Sequence, residues 1–262
     1  MNPVLQVIHD RKSIRAYEDR PVLPEVRDQL LQATLRAPTA GNMMLYSILD
    51  ITDQAVKDTL ARTCDNQPFI ARAPLVLLFL ADYQRWLDYY QASDIEALCR
   101  ERGQPMRQAG EGELFLACCD ALIAAQTSVL AAESLGLGSC YIGDIMENYE
   151  THRDLLGLPR FVFPVALVCF GYPTRAQLER ERTSRYERKF IVFENHYRRL
   201  ERADFAEMFR EFEARAEAQK DKIEGFVSAA QLQYDHKFNA DFSREMTRSV
   251  QAILRAWRGE AA

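Results

Sequence analysis

The sequence predicts a layered α+β fold: a mixed central sheet flanked by helices, followed by a helical C-terminal extension. Three observations carry that prediction. Four strand-like runs alternate with helical patterns up to Phe170, a long alanine- and leucine-rich helix over residues 114–135 is apolar on more than one side, and beyond Leu200 the apolar residues recur at helical spacing.

Residues 3–9 read as a short helix, followed by an extended stretch through Ala16 and Tyr17 and a turn near Asp19, Arg20 and Pro21. Pro24 suits the first turn of a second helix over 24–37, with Leu30, Leu31, Thr34 and Leu35 available to a core until Pro38 stops it. Residues 46–51 read as a strand, and Asp53 caps a helix over 54–64. The run 74–81 is almost continuously apolar, which places it at the centre of a sheet covered on both faces. Residues 83–112 are more polar and form a partly helical excursion over a pocket. The 114–135 helix lacks Gly and Pro and closes at Gly136 and Gly138; its apolar breadth asks for cover from its own sheet or from another subunit, which dimerisation would provide. Two further strands, 139–142 and 161–170, are separated by a helix over 149–156. Phe205, Met208, Phe209 and Phe212 fall at i, i+3, i+4 and i+7, as do Val250, Ile253, Leu254 and Trp257. The expected organisation is a core of 1–197 with its 83–112 excursion, and a helical extension of 198–262 packing on the core or on a partner.

The chain of 262 residues, 48% apolar and 27% charged, can build a substantial core. A net charge of -5 without a basic stripe argues against nucleic-acid binding and favours small anionic ligands. Six cysteines without CxxC spacing suggest neither a zinc cluster nor a disulfide framework, but buried reduced thiols in a cytoplasmic protein. The first residues lack an apolar signal core and no run is expected to reach transmembrane length, so secretion and membrane insertion are disfavoured. The four histidines form no HExxH pattern and no GxSxG is present. With no protein nucleophile advertised, cofactor-borne redox chemistry fits best.

Two motifs direct the functional reading. Arg11, Lys12, Ser13 and Arg15 gather three cations and a hydroxyl in five residues, suited to an anionic group such as a phosphate; a solvated cationic segment behind a short helix is the plainer alternative. Thr39, Ala40, Gly41 and Asn42 form a small-residue loop where a flat ligand could approach the backbone, although a turn at a helix stop has the same composition. Gly143 and Asp144 follow a strand, where a backbone N–H could face a ligand and a carboxylate could border a pocket.

With both motifs in place the chain resembles the FMN-dependent nitroreductase family, particularly its oxygen-insensitive NADPH-preferring nitroreductase and flavin reductase group, from the first helix to Tyr197. The resemblance implies the family's mixed central sheet and an intertwined homodimer with FMN at the subunit interface. It assigns Arg11, Lys12, Ser13 and Arg15 to the FMN phosphate and its approach, and Thr39, Ala40, Gly41 and Asn42 to the isoalloxazine ring. It assigns Gln67 to the flavin or its ribityl chain, and Tyr141, Ile142 and Gly143 to one face of the ring. Arg175, Arg182 and Arg185 are candidates for a further phosphate contact, Arg182 and Arg185 being ranked first. Met43 and Asp144 border the substrate pocket, and Asp144 departs from the glycine frequent in relatives. The implied activity is ping-pong transfer from NADPH or NADH through FMN to a nitroaromatic, quinone or related small-molecule acceptor. A flavin reductase releasing reduced FMN and a non-catalytic flavin- or nucleotide-sensing dimer are the alternatives.

Overall fold

A proline at a helix start and a polar side chain before it set the first element: α1 (Pro3–Asp10) opens with Pro3, and Asn2 Oδ1 accepts from Val4 N at 2.9 Å. The structure is a computed structural model and describes residues 1–222 and 225–260. Next come α2 (Pro24–Thr34), β1 (Tyr46–Asp50), α3 (Gln54–Thr63), α4 (Pro68–Arg72) and β2 (Leu75–Asp82). The excursion holds α5 (Gln84–Ala92) and α6 (Ile95–Glu101) and leads into α7 (Glu111–Ser134), β3 (Gly138–Ile142), α8 (Tyr149–Leu156), β4 (Val162–Gly171) and α9 (Arg175–Glu179). Helix α2 is shorter than predicted because the chain must leave the helical region before Pro38. Helix α7 begins earlier than predicted, at a turn where Glu113 Oε2 accepts from Gly110 N at 2.8 Å.

The strands pair in the order β1-β2-β4-β3, all antiparallel, with β2 and β4 central. A parallel component enters where Ser13 bridges Ser139 beside β3. Alternation divides β2: Leu75, Leu77, Phe79 and Ala81 face one core with α7, whereas Val76, Leu78 and Leu80 face a second core with α3 and α4. A register shift between Phe79 and Leu80 lets Phe163 and Val165 share a face with Val168 and Phe170 across the irregularity in β4. The whole of β2 and β4 is buried, as the apolar run predicts.

Helix α7 corrects one expectation, since by length and composition its 24 residues could cross a membrane. In this fold it is a core helix: Ala117, Ala121, Ala124, Ala125, Val129 and Ala132 are fully buried. Its other side exposes Phe115, Leu116, Leu122 and Ile123.

The chain divides at a different place from the expected 197/198 boundary. One unit is Met1–Arg180 with Glu245–Ala262, the other Glu181–Arg244. The second unit contains α10 (Arg202–Met208), α11 (Arg210–Glu217) and α12 (Ala229–Gln233), and α13 (Asp241–Arg258) starts in it and continues into the first. The reason is Trp257, 1% exposed, which stacks edge-on against Phe161 at 5.1 Å and donates from Nε1 to Gly110 O at 2.9 Å. Positions 223–224 and 261–262 of the expected extension lie outside the described residues. The six cysteines are free, with Cys64, Cys140 and Cys169 buried but Cys119 exposed.

Gly138 and Gly171 face each other across β3 and β4. A Cβ on Gly138 would lie 2.9 Å from Ile14 Cβ, and one on Gly171 would lie 2.8 Å from Tyr17 Cγ and Pro74 Cδ. The facing pair makes room for the N-terminal segment to lie on the sheet. Gly138→Ala is therefore expected to destabilise the protein by about 1–3 kcal/mol through overpacking, measured by urea denaturation.

Candidate functional site

The loop after α2 is held from below by a residue that the sequence reading passed over. Asp120, 2% exposed in the middle of α7, accepts hydrogen bonds from Thr39 Oγ1, from Ala40 N at 3.0 Å and from Leu45 N at 3.1 Å. Thr39 Oγ1 in turn accepts from Met44 N at 2.8 Å. These contacts stabilise a loop with Gly41, Asn42 and Met44 all at positive φ. From the excursion, Trp86 Nε1 donates to Met43 O at 2.8 Å and Arg85 Nη1 donates to Met44 O at 3.1 Å. The signal available in sequence was a lone acid in the middle of an apolar helix, which must find donors if buried.

The cationic segment lies at the opposite edge of the sheet. Ile14 N donates to Ser139 O at 2.8 Å, fixing Arg11–Arg15 alongside β3. Lys12 Nζ donates to the carbonyls of Leu178 and Arg180, and Arg15 N donates to Gln177 Oε1 at 3.3 Å. Arg180, which the sequence reading did not select, donates to Ser13 O and adds a third guanidinium to those of Arg11 and Arg15. Arg175 pairs with Glu179 at 2.6 Å, while Arg182 and Arg185 belong to the second unit, where Arg185 Nη1 donates to Thr183 O and Ser184 O. Burial pushes the Glu133 carboxyl up to about 7 and nearby Arg11 opposes that rise.

The same strand leads from Ser139 to the third group of predicted residues. Tyr141 is half-buried, its hydroxyl donates to Gln126 Oε1 at 3.4 Å, and burial raises its pKa. Ile142 is 1% exposed and offers a ligand only its backbone. At Gly143 an added Cβ would meet nothing within 4 Å, leaving the strand end open to a flat group. Gln67 Nε2 donates to Asp144 Oδ2 at 2.8 Å, tying the start of α4 to this edge. Thus β3 gathers Arg11, Lys12, Ser13, Arg15, Gln67, Tyr141, Ile142, Gly143 and Asp144. The Thr39–Asn42 loop instead leads into β1, three strand spacings or about 14 Å away across the sheet.

Glu147 sits behind Asp144, 4% exposed, with Oε1 buried and without a hydrogen-bond partner among the described residues. Burial first, then the charge and side-chain hydrogen bond of Asp144 and the charges of Asp65 and Glu245, push its carboxyl up to about 8 from an ordinary 4.5. The native state consequently holds an extra proton between those values, so stability declines as pH rises through that window and levels off above it. Glu147→Gln is expected to flatten the decline and raise the Tm at pH 8.5 by about 4 °C, checked by thermal melts from pH 5 to 9.

The family model described as the nitroreductase family matches residues 8–172. The chain is 33% identical over 182 residues to FMN reductase (NAD(P)H) of Bacillus subtilis strain 168, covering 70% of each protein. It is 31% identical over 202 residues to the oxygen-insensitive NADPH nitroreductase of Salmonella typhimurium, covering 77% of each. Among solved structures, B. megaterium NfrA2 superposes with a TM-score of 0.79 at 27% identity, covering 98% of both chains. The NADPH:FMN oxidoreductase from Vibrio harveyi complexed with NAD+ gives a TM-score of 0.77 at 25% identity, covering 97% of this chain and 98% of that one.

Proposed function

Since the chain belongs to the nitroreductase family and is an oxidoreductase, we propose that it binds FMN and passes reducing equivalents from NADPH or NADH to a nitroaromatic, quinone or related small acceptor. The observation that carries this reading is the convergence on β3 of the cationic segment, the open Gly143 and the Gln67 carboxamide. The residues suit a phosphorylated flavin on three counts. Among the described residues Arg11 and Arg15 form no ion pair and Ser139 Oγ is buried without a hydrogen-bond partner, and Gly143 has open space where a side chain would stand.

Bound FMN supplies a hydride relay between nicotinamide and acceptor in a ping-pong sequence. The protein's own groups bind and orient. Arg11, Ser13, Arg15 and Arg180 hold the phosphate, with Lys12 bracing the segment through its carbonyl contacts. Gln67 meets the polar part of the flavin, and the Tyr141–Gly143 backbone lies against the ring. Asp144 borders the acceptor's space, and Met43, which continues the Thr39–Asn42 loop, does so from a second copy of the chain.

Thr39, Ala40, Gly41 and Asn42 act in this reading from a second copy of the chain, which explains why their loop lies across the sheet from β3. The exposed Phe115, Leu116, Leu122 and Ile123 on α7 provide an apolar face for such a homodimer. Neither nucleic acid nor a membrane has a part in it, and the compartment is the cytoplasm. A relative named FMN reductase supports a second reading in which reduced FMN itself is the product.

The test is anaerobic titration of the FMN-loaded protein with NADPH and, separately, NADH, followed by a quinone or nitroaromatic. Bleaching of the flavin absorbance and recovery on adding acceptor are expected; absence of flavin binding or of bleaching would overturn the proposal. Flavin that passes a size filter after reduction would select the second reading.

A further inference from the structure

A carboxamide offers a donor end and an acceptor end, and its neighbours decide which end a ligand meets. Gln67 Nε2 donates to Cys64 O at 3.0 Å and to Asp144 Oδ2 at 2.8 Å. A backbone carbonyl and a carboxylate only accept, so both amide hydrogens are engaged, and turning the amide over would set Oε1 against two acceptors. The root of the side chain is fixed as well, because Gln67 N donates to Ala61 O at 2.8 Å directly before α4. Gln67 Oε1 accepts no hydrogen bond among the described residues. Asp144 is itself held in a short turn in which its carbonyl accepts from Glu147 N at 3.0 Å, with the Glu147 side chain buried behind it.

We infer that Asp144 is a positioning residue that locks the Gln67 carboxamide, so that this point of the site presents a carbonyl acceptor to the flavin and no amide donor. The inference rests on the flavin reading above and narrows it. The ligand group opposite Gln67 must then be an N–H or O–H donor, and FMN carries two kinds: the ring N3–H and the ribityl hydroxyls. A glycine at this position could not impose the lock, because it has no acceptor to hold the second amide hydrogen.

Two measurements test it. In flavin-free protein, the side-chain amide protons of Gln67, assigned by their loss in Gln67→Met, are expected to be protected from exchange; Asp144→Leu should unprotect one, and Asp144→Asn, which keeps an acceptor oxygen, should restore it in part. Dissociation constants are then measured for FMN, N3-methyl FMN and the 2′-, 3′- and 4′-deoxyribityl analogues of FMN. Wild-type protein is expected to bind one analogue about tenfold more weakly than FMN, and Asp144→Leu to shrink that ratio below about threefold. Amide protons that exchange equally fast in wild type and Asp144→Leu would overturn the lock. Wild-type protein that binds FMN and all of these analogues equally would overturn its role toward the ligand. Failure of wild-type protein to bind FMN, with the amide protons still protected, would instead overturn the flavin reading and leave the lock standing.

Discussion

Asp120→Ala is expected to destabilise the protein by about 3–5 kcal/mol, because it removes one carboxylate that accepts from Thr39 Oγ1, Ala40 N and Leu45 N in a buried setting. Each orphaned donor costs about 1–3 kcal/mol, and the loop recovers part of the sum by moving toward water. Asp120→Asn retains an acceptor but sets an NH2 against one of the donors, so a smaller loss of about 1–2 kcal/mol is expected. Denaturant midpoints of the two variants separate these cases. The loop's three left-handed residues would also relax, so the Asp120→Ala variant should become more sensitive to proteolysis between Pro38 and Leu45. An unchanged midpoint would show that the loop holds its shape without Asp120.

Trp257→Ala is expected to cost a similar 3–5 kcal/mol, by a different route. The indole is almost fully buried, packs edge-on against Phe161 and donates to Gly110 O, the turn from which α7 starts. Its removal leaves a cavity at the edge of the main core and takes one of two donors from Gly110 O, which keeps Leu114 N at 3.2 Å. Arg160, whose guanidinium donates to Trp257 O at 2.7 Å, would lose a firmly placed partner. Trp257→Phe keeps most of the volume and loses the hydrogen bond, so about half the effect is expected by the same denaturation measurement.

Much of the first unit was legible in the sequence because its signals are local. The apolar run of β2, the cap at Asp53 and the alternation of strands with helices each depend on neighbouring residues. What the chain does not spell out locally was harder to read. Strand order depends on pairings such as Leu75 with Phe170, and the role of Asp120 depends on donors some eighty positions away. The cationic segment was visible as composition, but Arg180 was not, because only the crossing of the N-terminal segment over Gly138 and Gly171 brings it to Ser13. The long apolar α7 was legible as a helix while its length was underestimated, since its opening turn is made by Glu113 reaching back to Gly110. Two amphipathic patterns after Leu200 also proved helical, yet their assignment to different units follows from where Trp257 finds its cavity.

The strand order has a consequence for how the protein is made. Strand β2 pairs on one side with β1, which precedes it, but its longer ladder is with β4, which is not synthesised until the ribosome has passed through the excursion, α7 and β3. During that interval the eight residues Leu75–Asp82 remain an unprotected apolar edge in the nascent chain. Long-range pairing of this kind slows folding and exposes the intermediate to self-association. The strand that ends at the centre of the sheet is therefore the one that chaperones have most reason to shield during translation.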